Sequence, residues 1–229
     1  MILTGAGISA ESGLGTFRDK GGLWTQYDLA EVATPEGFAR DPVKVHDFYN
    51  ARRANCLQAA PNAAHDALAQ LEDRMGDEMV IVTQNVDDLH ERAGSTRVLH
   101  MHGTLMGALC ADCSFRWVAP PVMQVDDLCP KCGAPRTRPD VVWFGEYPYA
   151  MNYIADVLAG AATFVAIGTS GQVYPAAGFA NDAYLAGAET IEINLEPTGA
   201  DYAFSRQIQG PATVTVPAWV KEILDQSAP

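Results

Sequence analysis

Gly5-Ala6-Gly7-Ile8-Ser9-Ala10 is the stretch on which the fold turns. It follows the short apolar run Met1-Ile2-Leu3-Thr4 and fits G-x-G-x-x-G/A, whose glycines let the backbone approach a pyrophosphate held at a helix amino terminus. The same string also suits a tight strand-to-helix turn with no ligand. Two features depart from the ordinary dinucleotide-binding unit. The segment Glu11 to Trp24 is a glycine-rich loop carrying Phe17-Arg18 and Gly21-Gly22. In addition, no second strand with an acidic end arrives about 20 residues later, so the ribose must be held from elsewhere.

Outward from this turn the chain alternates strands with helices, the pattern of an α/β fold whose parallel sheet is covered on both faces. Short apolar, β-branched runs predict strands at Met1–Thr4, Met79–Thr83, Arg97–His100, Val141–Phe144, Thr163–Ile167 and Thr190–Leu195. Asp41-Pro42 caps a helix running to about Leu57, and Asn62 caps a second that ends before Gly76. Further helices are expected from Asp87 to Gly94, Pro175 to Gly187 and Pro217 to Gln226. The region from Leu105 to Pro139 breaks the alternation, with two C-x-x-C pairs, several prolines and no long apolar period, and reads as a small inserted lobe.

The carboxyl ends of parallel strands lie along one edge, where open α/β sheets bind ligands. Met79–Thr83 leads into Gln84-Asn85-Val86-Asp87, Thr163–Ile167 into Gly168-Thr169-Ser170-Gly171, and Thr190–Leu195 carries Asn194 and leads into Glu196. Each cluster alone suits a capped turn; all on one edge predict a ligand crevice, with Glu196 against an adenosine ribose.

Cys110-x-x-Cys113 and Cys129-x-x-Cys132 are separated by 15 residues, inside the window of a four-cysteine zinc ribbon. Four thiolates leave no open coordination position, which makes the metal structural. Cys56 is left over and reduced.

His100 and His102 fall on one face if their strand continues, so position alone does not choose a base between them. Gly103 frees the backbone beside His102 and favours it. In the helix after Asp41 the inward stripe is Val45, Phe48, Tyr49 and Arg52, which sets a guanidinium where an apolar group belongs. Either Arg52 meets a buried anion or its stem snorkels to water. Tyr49, three residues away, is placed to share such an anion, and the pair would make a carboxylate clamp.

Composition sets the outer limits. The chain has 229 residues, fitting one large domain or one with a small insertion, and 48% of them are apolar, which excludes disordered and collagenous classes. Fifteen basic against 28 acidic residues give a net charge of −13, which argues against nucleic-acid or anionic-membrane partners. The most apolar stretch, Val157 to Ile167, falls short of the roughly 18 residues a spanning helix requires. The amino terminus lacks a basic, then apolar, leader, so the expected location is the cytoplasm.

Together Gly5-Ala6-Gly7-Ile8-Ser9-Ala10-Glu11-Ser12-Gly13, Phe17-Arg18, Thr83-Gln84-Asn85-Val86-Asp87, His102-Gly103, the two cysteine pairs, Val141-Val142-Trp143-Phe144-Gly145-Glu146, Gly168-Thr169-Ser170 and Asn194-Leu195-Glu196 resemble the sirtuins, most closely the bacterial class III type. The strings run in order over nearly the whole chain. The resemblance implies one catalytic domain over 1–229: a Rossmann-like lobe of 1–104 and 140–229, a zinc-binding insertion at about 105–139, and a helical segment at about 26–57 flanking an acyl pocket. It implies a monomeric NAD-dependent lysine deacylase, with NAD as co-substrate, one structural Zn2+ and acylated-lysine protein segments as substrate.

By that resemblance Gly5, Ala6, Gly7, Ser9, Glu11, Phe17, Arg18, Gln84, Asn85, Asp87, Gly168, Thr169, Ser170, Asn194, Glu196 and Ala212 hold NAD, with Asn85 and Asp87 also taking part in catalysis. The acyl oxygen attacks the ribose carbon bearing nicotinamide, and His102 is general base on a ribose hydroxyl that attacks the resulting alkylimidate, ending in lysine and O-acyl-ADP-ribose. Val141, Phe144 and Gly145 belong to the segment that pairs with the substrate backbone, and Tyr49-x-x-Arg52 binds the distal carboxylate of succinyl- or malonyl-lysine. Two departures stand out. Gly13-Leu14-Gly15-Thr16 replaces the Gly-Ile-Pro common in the family, and the first strand is very short, without the helix that often precedes it. A mono-ADP-ribosyltransferase and a non-catalytic NAD or ADP-ribose sensor are the competing readings.

Overall fold

The computed structural model describes residues 1–15, 28–199 and 201–226. In chain order the strands are β1 (Ile2–Thr4), β2 (Ile81–Thr83), β3 (Val98–His100), β4 (Gly103–Cys110), β5 (Arg116–Val118), β6 (Thr137–Val141), β7 (Thr163–Ile167), β8 (Glu189–Asn194) and β9 (Arg206–Gln209). The α-helices are α1 (Ala6–Ala10), α2 (Leu29–Val32), α3 (Pro35–Arg40), α4 (Pro42–Gln58), α5 (Ala63–Met75), α6 (Leu89–Arg92), α7 (Met151–Gly160), α8 (Phe179–Leu185) and α9 (Ala212–Gln226).

Six strands form a parallel sheet in the order β3-β2-β1-β7-β8-β9. The chain moves outward from β1 to β3, then returns to the other side of β1 as β7. The carboxyl ends of β1 and β7 therefore flank the point where the strand order reverses, the place where open α/β sheets form a crevice. Successive side chains bury on opposite faces, which explains why these strands read as continuous apolar runs. Ile2, Ile81 and Val165 pack with Leu68, Leu71 and Trp219 of α5 and α9. Leu3, Val82 and Phe164 pack with Ile154, Leu158 and Phe179 of α7 and α8.

The caps follow the sequence. Asp41 Oδ1 accepts from the Lys44 amide at 3.0 Å with Pro42 in the first turn of α4. Asn62 Oδ1 accepts from the Ala64 amide at 3.0 Å to start α5.

Other expectations are corrected. The strand expected at Val141–Phe144 lies earlier, at Thr137–Val141, and belongs to a separate antiparallel sheet of order β5-β4-β6. Its position at the edge tolerates Pro139. Residues 142–144 leave the sheet because the Trp143 amide turns to donate to Glu146 Oε2 at 2.8 Å. The helix expected from Pro217 starts at Ala212 and contains that proline. The stretch from Pro175 divides into a 3-10 turn at Ala176–Gly178 and α8. The segment after Asp87 is one helical turn, α6.

The small sheet spans Gly103–Val141 and carries the cysteines at the end of β4 and on its turns. It is fastened to α4 by Arg53, a buried cation that the sequence reading passed over. Arg53 donates through Nε to the Leu105 carbonyl at 2.7 Å and through a terminal nitrogen to Asn50 Oδ1 at 2.9 Å. Asn50 in turn holds the Met123 backbone, donating to its carbonyl and accepting from its amide, each at 2.9 Å. The buried residues of α4 are thus Val45, His46, Phe48, Tyr49, Arg53 and Cys56, and Arg52 sits half-buried beside them.

Candidate active site

A cleft of about 880 Å³ opens between the sheet edge, α4 and the segment after β6. Its floor is made of backbone. The Gly5 amide donates to the Ile167 carbonyl at 3.0 Å, and the Gly7 amide donates to the Gly168 carbonyl at 2.8 Å. A Cβ on Gly7 would lie 2.7 Å from Gly168 Cα, so the turn after β1 and the turn after β7 interlock only as glycines. Gln84 Nε2 donates to Thr169 Oγ1 at 2.9 Å, and Asn194 Nδ2 donates to the Thr169 carbonyl at 2.7 Å, tying three strand ends together. Ala6, Ser170, Glu196 and Ala212 also line the cleft. Glu11 lines it too, but its carboxylate accepts from the Thr213 amide and hydroxyl at 3.0 and 2.8 Å, joining α1 to α9. Phe17 and Arg18 lie outside the described residues.

Beneath the floor a polar chain ends on Asp87. The Asn62 amide donates to His65 Nδ1 at 3.2 Å, which leaves the ring proton on Nε2, facing Ser9 Oγ at 3.5 Å. Asn85 Nδ2 donates to the same Oγ at 3.2 Å and to the Gly5 carbonyl at 3.1 Å. With its lone pairs so used, the Ser9 hydroxyl turns its proton to the Asp87 carboxylate, and the Leu89 amide also donates to Asp87 Oδ1 at 3.2 Å. Burial raises the Asp87 carboxyl above the ordinary range, against the pull of these donors and of nearby His100. Burial brings His65 down to about 4, so it is neutral at physiological pH.

The two histidines after β3 are engaged differently. His100 meets acceptors on both nitrogens, the Asn85 carbonyl at 3.0 Å and Glu91 Oε1 at 2.7 Å. Burial opposes its charge, but these partners outweigh it and raise its pKa. His102 donates through Nδ1 to the Gln84 carbonyl at 3.1 Å and lines the cleft. That bond leaves Nε2 without a proton, and burial lowers the ring's pKa although the Gln84 carbonyl partly opposes it. Gly103, at φ +78°, allows the adjoining turn: a Cβ there would lie 2.1 Å from the Asp140 carbonyl oxygen.

The far wall is made of side chains. The Arg52 guanidinium lies 5.6 Å from the Phe48 ring centroid and 5.8 Å from that of Tyr49. Burial lowers its pKa, with Tyr49 and Asp87 acting in the opposite sense. Trp143 Nε1 donates to the Tyr49 hydroxyl oxygen at 2.9 Å. The Arg138 guanidinium covers the Trp143 ring at 3.4 Å and pairs with both Glu146 oxygens at 2.6 and 2.9 Å. Val141, Phe144 and Gly145 complete the rim.

The four cysteines also converge. Cys110 and Cys132 sulfurs are 3.7 Å apart, as are those of Cys113 and Cys129, and all four lie within 4.8 Å of one another. Tetrahedral sulfurs on Zn–S bonds of about 2.3 Å stand about 3.8 Å apart, so the set fits a single closed zinc site. The cluster lies at the end of β4 and on the turns of the small sheet, and no cysteine of it lines the cleft.

Arg53, His65, Arg138 and Glu146 went unforeseen. The Asn62/His65 cap was open to reading three residues apart; the Trp143–Tyr49 bond joins positions 94 apart and leaves no local signal.

The Sir2 family pattern matches residues 5–175. A relative from Caulobacter vibrioides named NAD-dependent protein deacylase is 58% identical over an alignment of 227 positions that covers 97% of this chain and 95% of that one. A solved Sir2 homolog–NAD complex superposes with a TM-score of 0.90 at 38% identity, covering 100% of this chain and 90% of that one. A Sir2 complex with deacetylated p53 peptide and acetyl-ADP-ribose superposes with a TM-score of 0.81 at 28% identity, covering 99% and 92%.

Proposed function

The chain belongs to the Sir2 family, and from that premise we propose how its cleft divides the work of NAD-dependent protein deacylation among named residues. The protein is an NAD-dependent protein deacylase with a structural zinc lobe and acts on acyl-lysine substrates. The observation that carries the residue assignment is the common lining of one cleft by the glycine turn, Gln84-Asn85-Val86-Asp87, His102 and the Tyr49/Arg52 pair.

NAD supplies an activated ribose carbon, a nicotinamide leaving group and ribose hydroxyls that take up the acyl group. Gly5, Ala6, Gly7, Gly168, Thr169 and Ser170 bring backbone close to the phosphates, while Asn194, Glu196 and Ala212 border the adenosine end. Gln84, Asn85 and Asp87 hold the nicotinamide amide away from water. Because Ser9 and the Leu89 amide donate to Asp87, the carboxylate is fixed in orientation as an acceptor. His102 takes the ribose-hydroxyl proton on Nε2, its tautomer set by the Gln84 carbonyl.

At the far wall Tyr49 and Arg52 receive an acyl chain, and a distal carboxylate on that chain is held by both. This extends the substrates from acetyl- to succinyl- and malonyl-lysine. The amides of Val142 and Phe144 already donate to the carbonyls of His102 and Ala33 at 2.8 and 2.9 Å. A substrate backbone laid along Val141–Gly145 is therefore met mainly by carbonyls. Cytoplasmic residence, a monomeric state and indifference to nucleic acid complete the proposal; among the described residues no helix is long and apolar enough to cross a membrane.

Mass spectrometry of acetyl- and succinyl-lysine peptides incubated with NAD tests the assignment. Both peptides are expected to lose their acyl group, with nicotinamide release that requires the acyl peptide. No release would indicate a sensor, and labelling of protein without acyl loss would indicate a mono-ADP-ribosyltransferase.

A further inference from the structure

We propose that Trp143 determines acyl specificity by fixing which way the Tyr49 hydroxyl points its proton. This rests on the assignment of Tyr49 and Arg52 to a distal carboxylate. A phenol both donates and accepts, and rotation about its C–O bond offers either face to a ligand. The indole N–H of Trp143 can only donate. Its 2.9 Å bond makes the Tyr49 oxygen the acceptor, and among the described residues the phenolic proton has no acceptor of its own. The hydroxyl therefore enters the cleft as a donor, beside a guanidinium that is also only a donor. Two donors side by side suit an anionic acyl end and offer nothing to a methyl group.

The polarity is reinforced from behind. Arg138 lies against the Trp143 ring face at 3.4 Å, and a cation there withdraws density from the indole and strengthens its N–H as a donor. Glu146 holds that cation through both carboxylate oxygens and also takes the Trp143 amide at 2.8 Å, which fixes the ring's plane and backbone together. The order Glu146, Arg138, Trp143, Tyr49 is a line of directed contacts that ends at the acyl position. It makes Trp143 a positioning residue, since it acts through Tyr49.

The test compares kcat/KM for succinyl- and acetyl-lysine peptides in Trp143→Phe, Tyr49→Phe, Arg52→Met and the Trp143→Phe/Tyr49→Phe double variant. Loss of one hydrogen bond to the ligand predicts a fall of about 3- to 10-fold in the succinyl-to-acetyl ratio for Trp143→Phe, carried by the succinyl-peptide KM. The double variant should show the ratio of Tyr49→Phe alone. Benzothienylalanine at position 143 keeps the bicyclic shape and replaces only the N–H, so it should reproduce the fall without repacking. A ratio unchanged at position 143 while Tyr49→Phe and Arg52→Met lower it would overturn this proposal and leave the carboxylate clamp standing. An additive double variant would also overturn it, by showing that the ring acts through packing. A ratio unmoved by Tyr49→Phe and Arg52→Met would remove the clamp and this proposal together.

Discussion

The floor of the cleft and its far wall line the same cavity with different materials. At the carboxyl ends of β1 and β7 the lining is backbone, brought together by glycines at 5, 7 and 168 that leave no room for a Cβ. At α4 and the segment after β6 it is side chain, with the Arg52 guanidinium, an indole, a phenol and a carboxylate on the cleft and Arg138 behind the indole. Backbone cannot be exchanged for another chemistry, so the floor suits an invariant co-substrate. Side chains can, and the acyl specificity proposed for Tyr49 and Arg52 would belong to the wall.

Substitutions at the junction and on each side sharpen that contrast. His102→Tyr, between the two halves, is expected to abolish deacylation of every acyl peptide; residual turnover with both would move the base to His100. Gly7→Ala drives a methyl into Gly168 and should lower kcat/KM by about 100-fold or more whichever acyl group is offered, because a backbone contact loses its geometry outright. A loss confined to one acyl group would show that the floor also reads the substrate.

On the wall side, neighbouring arginines should behave oppositely. Arg53→Met strands the Leu105 carbonyl of the small lobe and the Asn50 side chain of α4 and is expected to cost about 2–4 kcal/mol in urea unfolding, whereas Arg52→Met at the half-buried cleft position should cost less than about 1 kcal/mol. Equal destabilisation would erase the distinction between fastening and binding arginines.

A separate expectation concerns the pH dependence of stability. Burial brings His65 to about 4 and His90 to about 3 in the folded protein, against roughly 6.5 when unfolded. The unfolded chain then binds more protons between these values. The stability contributed by the neutral rings is present above about pH 6.5 and is lost as pH falls through about 4 and then 3. His100, raised by Glu91, contributes in the opposite sense, below its folded pKa. Thermal scans from pH 7 to 4 should show Tm falling; a flat profile would mean that these histidines are solvated or paired with an acid.

The same division explains what the sequence disclosed. Strand-end glycines and amides at 5–7, 84–87 and 168–170 are local strings, and they come together because a parallel sheet aligns its carboxyl ends. The cysteine spacing placed the zinc site for a similar reason, with two short loops to one ion. By contrast β9, Arg206–Gln209, is a polar edge strand with one half-buried apolar residue, and nothing in its pattern marks it. The strand at Thr163–Ile167 falls where expected, but the helix before it, α7, passed unnoticed because its apolar residues run on into β7. The helical stripe pointed to an arginine out of place on α4 and landed on Arg52, but left its fully buried neighbour Arg53 unnoticed. Hydrogen bonds from Trp143 and Arg138 depend on tertiary approach and have no sequence period.

The claim that the wall selects the acyl group is tested most directly by the succinyl-to-acetyl ratio of kcat/KM in Arg52→Met against the unaltered protein. Desuccinylation is expected to fall by at least about 10-fold more than deacetylation, since a desolvated charge contact is lost only with the acidic acyl group. Equal loss of both activities would contradict it.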